Sequence, residues 1–442
     1  MNKFEKALAF ISSRITPDSP FYAKIYLVGG CVRDELLGKR YSDLDLLIDM
    51  PDGQKMFVEH MCECYPDVCK GPFYYQRYGT TAMDIIIDQA FTLVECVEPH
   101  IERYDTDGKT LLETRFCTLE EDALRRDYTC NAIYKNLHTG EILDPTGMGQ
   151  QDLSNGLLRT PLNPDIIYRQ DPVRMLRGIR FKHQKGFRLD ADAWKAIVKN
   201  HDEMQVSAPK RYRDELNKIL KTKRVGEAIE DLYNCGLLPY VMPGLERMFE
   251  EKINTPSYLR PGITPWKHTL NTLHYLDTEY AHIDVTTRLM VLCLHYAESH
   301  GIEAAGSILR DSQIGKEKVG TIMQLWRMYF RFQNFFQNGK YVARPRALPH
   351  FIIGLGKTLD TFKRIVKALN IDFLEEKRLP VKLLSQDVSI PSTPQPREPM
   401  TEKERERERR HRKNVKRREQ RKRAKARQRQ SERESRISPT QQ

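Results

Sequence analysis

The chain has 442 residues, the length of roughly three domains at ~150 residues each. Its 40% hydrophobic and 30% charged content suits buried cores with a solvated surface. No run approaches the ~20 apolar residues of a membrane span, and no apolar stretch follows a basic N-terminus, so membrane-spanning and secreted classes are excluded as first readings. Nine cysteines, scattered singly apart from Cys62, Cys64 and Cys69, have the dispersion of reduced cytoplasmic thiols. The formal charge of +12 is concentrated: Thr401 to Gln430 holds 16 Lys/Arg against 5 Asp/Glu, a net of +11, and the rest is nearly neutral.

In chain order, Met1 to Ser12 has a short helical pattern, and Ile25-Tyr-Leu-Val28 is a buried strand ending in Gly29-Gly30. Asp43 to Ile48 alternates as a second strand, and Thr81 to Ile87 and Phe91 to Val97 are two more. Ala132 to Lys135 and Glu141 to Leu143 flank a His-Thr-Gly turn, a hairpin pattern. After Pro161 the pattern turns helical. Asp171-Pro172 starts a helix with a carboxylate cap and Pro at the first position, followed by Val173, Leu176 and Ile179 at helical spacing. Helices are predicted over Asp192 to Asn200, Pro209 to Leu220, Val225 to Leu232, Trp266 to Tyr275, Val285 to Ala297 and Lys316 to Phe336. Ser385 to Met400 is a Pro/Ser-rich linker without periodicity. The fold class is therefore α+β: a head with a small mixed sheet over 1–155, an all-helical neck over 156–240 and body over 241–384, then a linker and basic tail over 385–442. No internal repeat is evident.

The stretch Leu27-Val-Gly-Gly-Cys-Val-Arg-Asp34, followed by Asp43-Leu-Asp45, carries the chemistry. A strand ending in Gly29 and Gly30 permits a tight turn and close backbone approach to an anion. The helix that begins there puts Arg33 on its first turn, so amides and a cation face a phosphate. Asp43 and Asp45 alternate on one strand and point to one face. Two carboxylates so placed repel unless cations sit between them, and oxygen ligands select Mg²⁺ shared with substrate phosphates. A two-metal site of this kind activates an attacking hydroxyl and stabilises a leaving pyrophosphate. Arg125, Arg126 and Asp127 set two cations beside one acceptor, suited to triphosphate oxygens and a ribose hydroxyl, with Asn131 four residues on to orient the loop. Asp171 and Arg174, three apart on a helix, offer acceptors and a donor fork able to read a base edge. Arg177 and Arg180 add basic surface nearby.

Leu27 to Ile48 resembles the signature of nucleotidyltransferases of the DNA polymerase β superfamily, and within it the class II branch of tRNA CCA-adding enzymes and bacterial poly(A) polymerases. Glu120 to Ile133 resembles that branch's second motif, and Asp171 to Phe181 its nucleotide-selecting helix. The resemblance covers about residues 25 to 240 and implies catalytic acids at Asp43, Asp45 and Glu95, with metal on Asp43 and Asp45. Asp84 and Asp88 rival Glu95 as the third acid, and Cys96-Val-Glu-Pro-His100 stands where the family has Thr-Phe-Arg. It further implies nucleotide binding by Gly29, Gly30, Arg33, Arg125, Arg126, Asp127, Asn131, Asp171, Arg174 and Arg177, with ATP or CTP as substrate. Gln170 replaces the Glu of the tRNA-type pattern, and Asp-Pro-Val-Arg-Met-Leu-Arg has the poly(A) polymerase look. The expected activity is template-independent addition of nucleoside monophosphates to an RNA 3′ end, poly(A)-like, with CCA addition to tRNA and a non-catalytic RNA-binding protein as alternatives.

The tail is too polar to fold on a core of its own, and its cheapest partner is a polyanion, because neutralised phosphates release counterions. Arg409, Arg410, Lys416, Arg417, Arg418, Arg421, Lys422 and Arg423 are its RNA-binding residues. The three clustered cysteines lack a second Cys/His pair at zinc spacing and read as incidental thiols. His268 and His295-Tyr296 are similar to the metal-dependent phosphohydrolase domain of some relatives, but Tyr296 stands where a carboxylate is required. Trp326, Tyr329, Phe330, Phe332, Phe335 and Phe336 read as a packed helix with a basic outer face, and Tyr212 to Lys218 as packing and surface.

Overall fold

The computed structural model describes residues 1–385 apart from 41–42, 76–78, 105–110, 207–208, 251–252, 254, 338–339 and 344–346. The strands of the main sheet are β1 (Ile25–Val28), β2 (Asp45–Ile48), β3 (Cys69–Tyr75), β4 (Thr80–Ile87) and β5 (Ala90–Val97). A separate hairpin pairs β6 (His100–Tyr104) with β7 (Leu111–Phe116), and β8 (Tyr134–Asn136) and β9 (Ile142–Leu143) return to the main sheet. Its order is β3-β4-β5-β2-β1-β8-β9. All neighbours are antiparallel except β2 and β5, which run parallel. A parallel pair needs a crossover, supplied by α3 (Gly53–Cys64) with β3 and β4.

The first helix, α1 (Lys3–Arg14), opens with a capping box between Asn2 and Glu5. It shares one face of the sheet with α3: Ala7, Ile11, Phe57, Val58 and Met61 pack on Leu46, Ile48, Ile85, Val94 and Cys96. The helix α2 (Gly30–Leu36) leaves the end of β1, and α4 (Leu119–Leu124) opens on a second capping box, Thr118 with Glu121. Its Leu119 and Ala123 cover Val28, Leu47 and Tyr134 on the opposite face of the sheet.

The remainder is helical: α5 (Gly149–Ser154), α6 (Pro164–Gln170), α7 (Val173–Lys185), α8 (Ala191–Asn200), α9 (Pro209–Ile219), α10 (Val225–Asn234), α11 (Leu238–Val241) and α12 (Arg247–Glu250). There follow α13 (Pro265–Glu279), α14 (Val285–Leu292), α15 (Leu294–His300), α16 (Ile302–Asp311), α17 (Lys316–Gln333), α18 (Ala347–Leu355) and α19 (Leu359–Leu369). Among the described residues none of these is long and apolar enough to cross a membrane. Trp326, Tyr329, Phe332 and Phe362 are fully buried, and Trp326 donates its indole N–H to the Met290 carbonyl at 2.9 Å. Each ring so buried stabilises the body by about 2–3 kcal/mol.

Several elements depart from the sequence expectation. The single helix expected over 285–297 is two, broken at Cys293 (φ −100°, ψ 8°), so that α14 packs on α17 and α15 on α16. The helix expected to reach Phe336 ends at Gln333, and Phe336 pairs with Tyr341 in a two-residue ladder, turned there by aromatic packing on Tyr341 and Phe332. The helical neck also holds a short parallel pair, Leu157–Leu158 with Arg188–Leu189. The strands β3, β6 and β7 were not expected. Gly-Pro in β3 and exposed residues on both its sides hide the period of two.

Candidate active site

The acids meet through strand register. Asp45, the first residue of β2, lies directly beside Glu95 of β5. Asp43 precedes it by two positions. The Cys31 thiol of α2 fixes this entry, donating to the Asp43 carbonyl at 3.0 Å and accepting from the Asp45 N–H at 3.3 Å. Burial, with Asp45 next to it, pushes that thiol up to about 12, so it stays a neutral donor. Of the rival acids, Asp84 sits a strand further out opposite Leu93, and Asp88 is held by Lys6 at 2.5 Å. Burial, then Glu95 and Asp43, push the Asp45 carboxyl up to about 6, against the opposing pull of Arg126 and Arg177. Three carboxylates crowded together with only hard oxygen donors fit divalent magnesium. Among the described residues no three His, Cys, Asp or Glu side chains, these acids included, already converge closely enough to hold a metal ion.

Two positive arms face these acids. Asp122, fully buried in α4, grips both arginines of the expected motif: Arg125 Nη2 at 2.7 Å on one oxygen, Arg126 Nη2 at 2.8 Å and the Tyr134 hydroxyl at 2.7 Å on the other. Burial works against the Asp122 charge, but Arg126 and Arg125 outweigh it and hold the carboxyl well below the usual range. Arg126 also lies 5.0 Å over the Tyr134 ring. A Cβ at Gly29 (φ +63°) would stand 3.9 Å from Arg126 Nη1, so the glycine turn and this arginine share one corner.

The second arm comes from α7. Arg177 donates to Asp127 at 2.7 Å, Asn131 donates to the same carboxylate at 3.0 Å, and Asn131 accepts from Arg33 at 2.9 Å. Arg33 is only 5% exposed and also pairs with Asp34, so it braces the loop rather than standing open to solvent. Arg33, Arg177 and Arg180 all pack over the Phe181 ring. At the α6–α7 junction Asp171 closes α6 and accepts from Val173 N–H at 3.2 Å, while Pro172, expected as the first helical residue, is itself the N-cap of α7. The other Asp171 oxygen lies 3.8 Å from Arg174 and accepts from Arg211 of α9 at 2.6 Å.

The structure thus gathers Asp43, Asp45, Glu95, Gly29, Arg126, Asp127 and Arg177, with Arg33 and Asn131 behind them and Asp171 and Arg174 at the next junction. The tail residues from Arg409 to Arg423 lie outside the described residues. Sequence reasoning missed Asp122, Cys31, Arg211 and Glu215. The last is 5% exposed and holds Arg180, itself buried and not the basic surface expected of it, at 2.6 Å, within a stretch the sequence reads as packing and surface. An acid four residues before Arg126 was the available signal for Asp122. In the body His268 and His295 are buried and joined at 2.8 Å; His268 also bonds the Leu369 carbonyl, and His295 faces Glu298 at 3.2 Å. Tyr296 stacks on His300 beside them.

Residues 25–159 match the family described as the Poly A polymerase head domain, and residues 186–249 the one described as the probable RNA and SrmB-binding site of polymerase A. The chain is 34% identical over 261 residues to the CCA-adding enzyme of Bacillus pumilus, covering 58% of this chain and 61% of that one. It is 29% identical over 226 residues to poly(A) polymerase I of Salmonella typhi, covering 51% and 48%. The match therefore spans less than two thirds of either relative. The fold is that of the Bacillus stearothermophilus CCA-adding enzyme in complex with CTP, at a TM-score of 0.56 and 22% identity over 83% of this chain and 78% of that one. Over these stretches the chain is similar to both the CCA-adding enzymes and the bacterial poly(A) polymerases.

Proposed function

We propose that the chain is a magnesium-dependent, template-independent RNA nucleotidyltransferase that adds adenylate from ATP to RNA 3′ ends in the cytoplasm, with release of pyrophosphate. One observation carries the reading: Asp45 beside Glu95, with Asp43 two residues away, faces Arg126 and Arg177 at the turn made by Gly29. Magnesium held by Asp43, Asp45 and Glu95 would supply activation of the attacking hydroxyl and charge stabilisation at the leaving group. Arg126 and Arg125, fixed by Asp122, receive triphosphate oxygens. Asp127, braced by Arg177 and Asn131, accepts from the ribose. Asp171 and Arg174 choose the base. The basic tail, with Arg409, Arg410, Lys416, Arg417, Arg418, Arg421, Lys422 and Arg423, holds RNA without regard to sequence and raises its local concentration.

Adenylate addition is favoured by Asp171-Pro-Val-Arg-Met-Leu-Arg177 and by the tail, since an enzyme of varied RNAs profits from sequence-blind binding. CCA addition is the second reading, favoured by the higher identity to the Bacillus pumilus enzyme. The test offers each labelled nucleotide with a tRNA ending before CCA and with a generic RNA. Long A-only products on both support the first reading; C then A on tRNA alone supports the second. Asp43→Ala or Asp45→Ala is expected to abolish transfer while RNA retention persists, and full activity in either removes the acid assignment.

A further inference from the structure

On the sheet face that carries Asp45, four neighbouring strands place their residues in one row. Asp45 pairs with Glu95, Glu95 with Ala82, and Ala82 with Phe73. Interstrand spacing puts Phe73 about 14 Å from Asp45. Alternation brings Leu93 and Phe91 to the face of Glu95, and Tyr75 to that of Phe73. The reverse face is filled by α1 and α3, and among the described residues the α4 cluster covers this face over β1, β2, β8 and β9 and reaches β5 at its last residue, Val97. Beyond Glu95 the large side chains stand open: Phe73 is 40% exposed, Tyr75 44%, Phe91 61% and Leu93 42%. Apolar surface grouped in this way marks a binding site more often than chance. Tyr74 between the two rings turns to the reverse face and gives its hydroxyl to Glu59 at 2.5 Å.

We propose that this strip is a stacking platform for the last, single-stranded bases of the acceptor RNA. The inference rests on the transferase reading and supplies the side of the site that reading leaves empty. In-line displacement sets the attacking hydroxyl opposite the leaving pyrophosphate. The groups suited to the triphosphate, Arg126 and the Gly29 turn, lie on the β1 flank of the acids. The hydroxyl therefore comes from the β5 flank, and the nucleotides behind it run over β4 and β3. Ala82 offers only a methyl between acid and ring, so the strand can pass to Phe73 and Tyr75. Ring faces accept any base, which suits an enzyme of varied 3′ ends.

The test uses the full chain and an RNA with 2-aminopurine near its 3′ end, at raised salt to screen sequence-blind phosphate binding. The wild type is expected to quench the probe. The Phe73→Ala/Tyr75→Ala pair is expected to lose the quench and raise the RNA KM about 10-fold, with the ATP KM unchanged. Tyr74→Ala should change neither, and Phe73→Trp should keep both. A double variant that transfers with unaltered quench and RNA KM overturns the platform and leaves the transferase reading intact. A wild type that quenches but transfers nothing supports the platform and removes that reading. A wild type that sediments as a dimer, with the double variant a monomer, overturns the platform in favour of a second copy of the chain on this face.

Discussion

Asp127 and Arg177, fifty residues apart, meet at 2.7 Å and tie the loop after α4 to the middle of α7. Asn131 and Arg33 extend the contact back to the helix that follows the glycine turn. The groups proposed to receive the nucleotide are therefore bonded to one another in its absence, an arrangement that would hold the site ready by its own charges.

Acid should loosen this clasp in a defined window. Burial alone would raise the Asp127 carboxyl, but Arg177 and the Asn131 hydrogen bond outweigh it and hold it at about 2. Because the folded value lies below the unfolded one of ~3.9, the stabilisation is complete above that pH and is lost as pH falls towards 2, on the order of 2 kcal/mol. Asp127→Asn is expected to lower stability at neutral pH and to flatten the decline between pH ~4 and 2. Urea titrations across that range check it; an unchanged slope refutes it.

A second window belongs to the helical body. Burial, then the neighbouring His295, push His268 down to about 4. The unfolded chain takes up this proton near pH ~6.5 and the folded chain resists until about 4, so stability should fall by about 3 kcal/mol as pH drops through that interval. The fluorescence of Trp266 and Trp326, both in the body, reports the unfolding. His268→Gln is expected to remove the dependence.

Removing one of the crowded acids should separate activity from stability. Asp45→Asn or Glu95→Gln is expected to cut transfer about 1,000-fold. In the absence of divalent cation the same changes relieve repulsion and should stabilise the fold by about 1–2 kcal/mol. Calorimetry in chelator, set beside a transfer assay, checks both halves.

Arg211 gives a prediction about choice of base. It holds Asp171 at 2.6 Å, nearer than Arg174 does. Arg211→Ala is expected to let Asp171 swing and to lower discrimination between ATP and the other nucleotides about 10-fold in kcat/KM, with little change in kcat for ATP. Equal discrimination in the variant would detach Arg211 from base selection.

Local chemistry made much of this legible. An apolar run ending in two glycines writes β1 and the turn, and alternation writes the pair of aspartates. What stayed hidden depends on contacts distant in sequence. Glu95 is named as the third acid by resemblance, with Asp84 and Asp88 as rivals, and what decides among them is the parallel register of β2 with β5, which sets Glu95 beside Asp45. Asp122 reads as one of three acids on the first turn of a helix, and only packing under Tyr134 shows it as the residue both arginines need. Arg33 reads as a phosphate ligand because burial is invisible in a string of letters.

The one parallel pairing in the main sheet also has a kinetic meaning. Asp45 and Glu95 come together only after the intervening helix and two strands have been laid down, a long loop to close. Helices and the β4–β5 hairpin can form early, from neighbours in sequence. In refolding from urea, magnesium-dependent turnover should consequently be the last property to return, lagging behind the recovery of helical signal.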